Sequence, residues 1–288
     1  MPSLIDIRRR IRTVKNTQQV TKAMKMVSAA RLRRAQDRVL LARPYARILG
    51  ELVASVAASL PRDESAAAHT LLAKRPEKRI QLLLFTSDRG LAGAFNANLI
   101  KAAQQFLAGH ASATVEMECI GRKGRDFFRK HGAAIVGEHI GLAARATHEE
   151  VAPIATAVMD RYRREEVDAV YILYNEFKSV LSQKLTVTRI LPIELPAGKL
   201  ETRTEYIFEQ PPAELLGLLL PRYVEVAVHH ALLESTAAEY AARMTAMDAA
   251  TTNAGELIDK LTLHMNRVRQ ASITREIIEV VSGASSLE

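Results

Sequence analysis

A chain of 288 residues, 48% hydrophobic and 25% charged, is long enough for one large or two modest domains and has the make-up of a soluble globular protein. No apolar run reaches the roughly eighteen residues that a transmembrane helix needs, and the basic N-terminus lacks the apolar core of a secretory signal. The lone Cys119 excludes an intramolecular disulfide and fits a reducing compartment, while a formal net charge of +8 asks for an acidic partner.

That charge is unevenly spread. Residues 8–47 hold thirteen lysines and arginines against one acid, Asp37, whereas residues 211–288 hold ten acids against six bases. Opposite signs favour pairing of the two segments, although each exposed ion pair contributes only about 0.2–1 kcal/mol. The excess on the first segment points to nucleic acid, an anionic membrane surface or an acidic protein, or else to a merely solvated basic face.

In chain order, the first pattern is helical. From Ile7 through Ile11 and Val14, and again from Leu32 through Ala35 and Val39 to Leu60, apolar or small residues recur at alternating steps of four and three. An average step of about 3.5 is the coiled-coil period. Between Gln18 and Ser28 this seam turns polar, and Val20, Met24 and Val27 offer a neighbouring stripe, which predicts a local shift of supercoil phase. Ser3 with Asp6 reads as an N-cap and its partner carboxylate. Pro44 is expected to kink or interrupt the helix.

Residues 65–68 and 76–78 read as a linker, and beyond them the period changes. Arg79 to Thr86 is an apolar strand, followed by the loop Ser87 to Gly93 and a helix carrying Leu99, Ala103 and Phe106. Thr114 to Ile120 is a second strand, with Cys119 on the same side as Val115 and Met117 and therefore buried. A basic helix is expected over 122–131 and a brief strand over 133–136. Thr147 and Glu150 form a capping box for a helix with Val151, Ile154, Val158 and Tyr162. Strands over 168–174 and 184–191 close the series, the second as an edge strand or hairpin arm. Such alternation predicts a small, mostly parallel α/β layer, bounded by Pro211-Pro212.

The last pattern is the longest. From Tyr240 through Met244, Met247, Thr251, Ala254 and Ile258 to Ser272 the four-three rhythm returns, and Thr251 and Ala254 are small enough for close approach of a second helix. A helix from about Ala213 to Ser282 would be on the order of 100 Å long and cannot bury its stripe alone. The predicted fold class is α/β: a long antiparallel coiled coil of N- and C-terminal helices, residues 1–60 and 211–288, with a small Rossmann-like domain, residues 76–197, inserted between them.

Chemistry is harder to find. A glycine-containing loop between strand and helix can cradle a phosphate on backbone N–H groups. Yet Ser87 to Gly93 fits neither the G-x-x-x-x-G-K-[ST] nor the G-x-G-x-x-G pattern, and no lysine is placed by sequence to reach a phosphate. Asp88 and Arg89 are expected to pair locally. His229 and His230 are adjacent and point to different sides of a helix, while His148 and His264 have no obvious ligand partners. No catalytic residue, metal site or cofactor is therefore expected, and no independent active site.

Specific stretches carry a family resemblance. Asp6 to Ile11, Asn16 to Val27, Gln36 to Arg38 and Arg43 to Tyr45 resemble the opening helix of the gamma subunit of F-type ATP synthases. Thr86 to Gly93 with Asn96 and Asn98 resembles its central loop, and Ala242 to Thr251 and Asn266 to Glu276 are similar to its closing helix. These motifs lie in order and span almost the whole chain. Ala92 stands where relatives often have cysteine, and no cysteine pair lies between Lys199 and Pro212, so a plastid-type thiol switch is not implied.

The resemblance implies a rotor shaft, coupling proton-driven turning of a membrane ring to ATP synthesis at beta-subunit sites. Implied partners are the alpha and beta subunits of the surrounding hexamer, the epsilon subunit and the membrane c-subunit ring, with the chain peripheral to the cytoplasmic face of the bacterial inner membrane. Residue by residue, Lys22, Met24 and Lys25 match the region facing acidic beta segments, against ordinary coiled-coil packing for Met24. Arg269, Gln270 and Thr274 match positions bonding beta-subunit loops. Ile277, Ile278, Val280 and Val281 match the tip held in a hydrophobic sleeve, against packing within its own subunit. Tyr206, Ile207, Phe208 and Glu209 match the foot touching the ring and epsilon. Two rivals are a basic coiled-coil nucleic-acid binder, which has only Tyr45 for base stacking in its basic stretch, and a nucleotide-binding enzyme using the Ser87 loop.

Overall fold

Two long helices enclose an α/β series in the chain. The structure, a computed structural model, describes residues 4–59, 70–194 and 210–285. Helix α1 runs over Leu4–Ala58, and the last helix, α6, over Pro212–Ser285. Pro212 occupies the first helical position, where its missing N–H is no loss. The interruption expected at Pro44 does not occur, because α1 is continuous across it. Proline strands the carbonyl four residues back, and Leu40 is 61% exposed, so that carbonyl stands on a face water can reach. The N-cap expected at Ser3 lies outside the described residues.

The chain divides into two compact units, Met1–Ala29 with Arg243–Glu288, and Ala30–Ala242. In the first, the helices pair antiparallel, Lys25 meeting Asp248, Thr21 meeting Thr251, and Gln18 lying against Gly255. The seam read from the sequence is the buried one: Ile7, Met247 and Ala254 are buried, and Ile11, Val14, Ile258 and Leu261 half-buried. The predicted shift of phase is not found. Val20 and Val27 remain 58% and 53% exposed, while Thr21 and Ser28 are 9% and 3% exposed. The polar seam stays in place because its groups bond across it (below).

The second unit holds a five-stranded sheet: β1 Arg79–Phe85, β2 Thr114–Ile120, β3 Ile135–His139, β4 Ala169–Phe177 and β5 Gln183–Leu191. Its order is β3-β2-β1-β4-β5, with β1, β2, β3 and β4 parallel and β5 antiparallel at the edge. The connecting helices are α2 Phe95–Gly109, α3 Arg122–Lys130, the short α4 Leu142–Arg145 and α5 His148–Arg163. The strand expected over 133–136 begins two residues later. Thr147 does occupy the N-cap of α5, but its side chain makes no capping hydrogen bond.

The central strands β1 and β4 are buried on both faces, as a parallel layer covered by helices requires. Cys119 is 1% exposed, and burial, aided by the carboxylates of Glu138 and Glu118, pushes its thiol up to about 12. A polar row crosses three strands, buried at Gln81 and Glu118 and half-buried at His139: Gln81 Nε2 donates to Glu118 Oε2 (2.6 Å), and Glu118 Oε1 meets His139 Nε2 (2.7 Å).

Candidate functional site

Within the sheet-bearing unit, the middle of α6 is the organising feature. Every residue from Ala231 to Glu239 is buried, including Glu234, Ser235 and Thr236. A helix buried all round must satisfy its polar groups internally. Glu234, fully buried, does so through three elements. Arg43 Nε on α1 donates to Oε1 (2.9 Å), Arg43 Nη2 to Oε2 (3.1 Å), and the Phe177 N–H at the end of β4 to Oε2 (2.9 Å). Arg43 Nη2 also donates to the Phe177 carbonyl (2.7 Å), and His230 Nε2 lies 3.3 Å from Oε1. Burial alone would raise this carboxyl, but the bonds from His230, Arg43 and Phe177 outweigh it and hold it down at about 2.

The same stretch of α6 occupies the crevice that a doubly wound sheet offers to ligands, outside the carboxyl ends of its strands. Leu232, Ser235, Thr236 and Glu239 stand there against Phe85, Thr86 and Gly121, leaving a cavity of about 10 Å³, room for one water. The loop after β1 is likewise committed. Asp88 is bound to backbone groups. Its Oδ1 accepts from the Arg122 N–H (3.0 Å) and its Oδ2 from the Gly141 N–H (2.9 Å). The Lys123 N–H donates to the Ser87 carbonyl and the Gly124 N–H to Thr86 Oγ1. Folding does bring a lysine to the loop, with Lys123 Nζ 4.0 Å from where a Cβ on Gly90 would be. The first N–H groups of α3 are taken up by this loop, which ties the start of α3 to the end of β1.

In the helical unit the polar seam is bonded. Gln18 Nε2 donates to the Thr251 carbonyl (3.3 Å), Thr251 Oγ1 to Thr21 Oγ1 (2.8 Å), and Lys25 Nζ to Asp248 Oδ1 (2.5 Å). Gly255 leaves room for Gln18, whose Nε2 would lie 3.2 Å from an added Cβ. Of the residues singled out by resemblance, Lys22 is exposed, Met24 half-buried, and Lys25 joined to Asp248 within the chain. Arg269, Gln270 and Thr274 are exposed along α6. Past Ser272, every residue from Ile273 to Ser282 is exposed; Ile277, Ile278, Val280 and Val281 are 58%, 58%, 71% and 61% so. Tyr206, Ile207, Phe208 and Glu209 lie outside the described residues. Among the described residues, no helix is long and apolar enough to cross a membrane.

A helix that outruns its partner and ends in bare apolar residues is unusual for a chain that works alone. The family model described as ATP synthase matches residues 3–287. The ATP synthase gamma chain of Solibacter usitatus is 63% identical over 288 residues, covering all of both chains.

The chain belongs to the ATP synthase gamma chain family.

The gamma chain of Desulfitobacterium hafniense is a further full-length relative at 49% identity. Among solved structures, the Tetrahymena thermophila mitochondrial ATP synthase central stalk and c-ring contains a similar chain (TM-score 0.61, 24% identity, 80% of this chain and 99% of that one). A chain of the Euglena gracilis mitochondrial ATP synthase in rotational state 3 is similar too (TM-score 0.69, 19% identity, 99% and 94%). At such identities the likeness is one of fold, and it spans helices and sheet together. The gamma-chain resemblance seen in the motifs thus holds over the full length. Glu234 and the buried stretch around it escaped the sequence reading. Their signal was the loss of periodicity between Val224 and Tyr240, where apolar and small residues fall on every side of the helix.

Proposed function

We propose that this chain is the central rotor shaft of an F-type ATP synthase, coupling ring rotation to ATP synthesis by pushing catalytic subunits through successive conformations. The observation that carries the reading is the bare apolar end of α6 on a gamma-family chain whose seam is otherwise closed. An apolar tip suits a turning part, because contacts without directional bonds need not be broken at each step. The chain has no active site of its own in this reading, since α6 fills the crevice where a nucleotide would sit.

The finer assignments follow the family. Residues 1–60 and 211–288 form the shaft and residues 76–197 the foot. Arg269, Gln270 and Thr274 meet loops of the beta subunits, as do Lys22 and Met24, with Lys25 adding its charge beside Asp248. Ile277, Ile278, Val280 and Val281 turn in a sleeve made by the alpha and beta subunits. Tyr206 to Glu209 meet the c-subunit ring and epsilon, and the chain sits peripherally on the cytoplasmic face of the bacterial inner membrane.

The test is ATP hydrolysis by purified alpha and beta subunits with and without this chain, each component also assayed alone. The chain alone should be inert, and its addition should yield a stable complex with cooperative turnover. Indifference of assembly and hydrolysis to the chain would overturn the reading, and salt-dependent binding of nucleic acid by residues 8–47 would then replace it.

A further inference from the structure

In the sheet-bearing unit, two clefts flank α6 where it crosses α1. One, about 190 Å³, lies over the sheet, walled by Ile172 and Ile190 and floored by the small side chains of Ala46 and Ala227. Tyr174 and Tyr223 line it, and neither hydroxyl has a hydrogen-bond partner among the described residues. The other, about 240 Å³, is lined by Arg222, His148, His229 and Tyr45. The two clefts adjoin, with Ala46, Val226 and His230 lining both.

The polar cleft is partly committed and keeps one strong donor. Arg222 Nη1 contacts His148 Nε2 and donates to Glu225 Oε2 (2.9 Å), and its Nε reaches Tyr45 Oη (3.5 Å). His229 Nε2 donates to the Ala146 carbonyl (3.0 Å). Arg222 Nη2 is left without a partner among the described residues. An apolar chamber with two idle hydroxyls, adjoining a cleft that holds a guanidinium with a free N–H edge, has the make-up of a small-molecule site: mostly apolar walls and a few convergent polar groups.

We propose that these joined clefts bind a small amphipathic anion, its apolar body between the sheet and α6 near Tyr223 and its anionic head at Arg222. The arginine fork suits a carboxylate, which accepts two parallel N–H bonds. Such a ligand would touch α1, α6 and the sheet at once, the same three elements that Glu234 ties together. Binding would therefore stiffen the base of the long helices.

The probe is radiolabelled decanoate, below its micellar concentration, in equilibrium dialysis against the full chain. Decanol supplies the body without the charge, and inorganic phosphate a charge without the body. Saturable one-to-one binding of decanoate is expected, with decanol at least tenfold weaker and phosphate not competing. Arg222→Gln should weaken decanoate at least tenfold and leave decanol unchanged. Ala227→Leu, which fills the chamber, should abolish binding of both. Should Ala227→Leu fail to fold, judged by circular dichroism, Tyr223→Phe keeps the shape and should weaken decanoate severalfold. Absence of saturable binding to the unmodified chain overturns the proposal, as does equal affinity for decanoate and decanol, or undiminished binding by folded Ala227→Leu or by Tyr223→Phe.

Discussion

Glu234 shows how much one side chain can hold. Its carboxylate sits fully buried, yet carries its charge because Arg43, His230 and the Phe177 N–H surround it. A carboxyl held near 2, against an ordinary value of 4.5, stabilises the fold above its unfolded titration range and loses that contribution as pH falls toward 2. Glu234→Gln should therefore cost about 3 kcal/mol at neutral pH. Urea unfolding should show the gap between the two proteins closing on acidification below about pH 4.5; a gap independent of pH would contradict the assignment. Gly121 is a second such position. Its φ of +99° and the Thr86 carbonyl oxygen, 2.1 Å from where a Cβ would stand, leave no room for a side chain. Gly121→Ala should cost at least about 2 kcal/mol, read from the same unfolding experiment. The buried Cys119 should resist a thiol reagent in the native chain and react once it is unfolded, because only the thiolate attacks.

At the scale of the element, the polar seam explains why the helices keep their phase. An apolar stripe beside the seam, Val20 with Val27, was available, and shifting to it would have buried more hydrocarbon. Three cross-helix bonds oppose the shift, because moving Thr21 or Gln18 to solvent would also break their pairing with Thr251. Polar groups inside a coiled coil commonly specify register in this way. Thr251→Val keeps the shape but removes the hydroxyl bond across the seam, leaving the Thr21 hydroxyl only its bond to the Gln18 carbonyl. The expected cost is about 1–2 kcal/mol in thermal unfolding. Lys25→Ala, by contrast, should cost less than about 1 kcal/mol, since both partners of that pair are well exposed. Equal losses for the two would show that the hydroxyl pair is not special. The α/β elements were legible because their apolar runs are short and separated by glycine-rich turns. The polar row Gln81, Glu118, His139 was not, since a pairing across three strands leaves no pattern within any one of them.

For the molecule as a whole, what matters is a helix that continues after its seam has ended. Residues from Ile273 to Ser282 are all exposed, so replacing Ile277 and Ile278 by serine should change the stability of the isolated chain by less than about 0.5 kcal/mol. The same change should weaken assembly with alpha and beta subunits severalfold, measured by co-elution and by stimulated hydrolysis. A loss of stability in the isolated chain would mean that the tip packs against its own subunit instead. The sheet-bearing unit is the converse case. Its sheet has the topology of a ligand-binding fold, but α6 fills the crevice.

The sequence by itself determined the long helices, their antiparallel pairing, the mostly parallel sheet and the family, because each is written in local periodicity or in motifs that stay contiguous along the chain. It also marked the apolar tip, since an amphipathic seam that ends before its helix does is visible in one dimension. Only the tertiary structure decided that the helix runs through Pro44, that the polar seam holds its phase, that Asp88 serves backbone N–H groups, and that Glu234 binds α1 and β4. Each depends on partners dozens to hundreds of residues apart, and whether a polar group bonds, shifts or breaks a helix is settled by what folding brings opposite it.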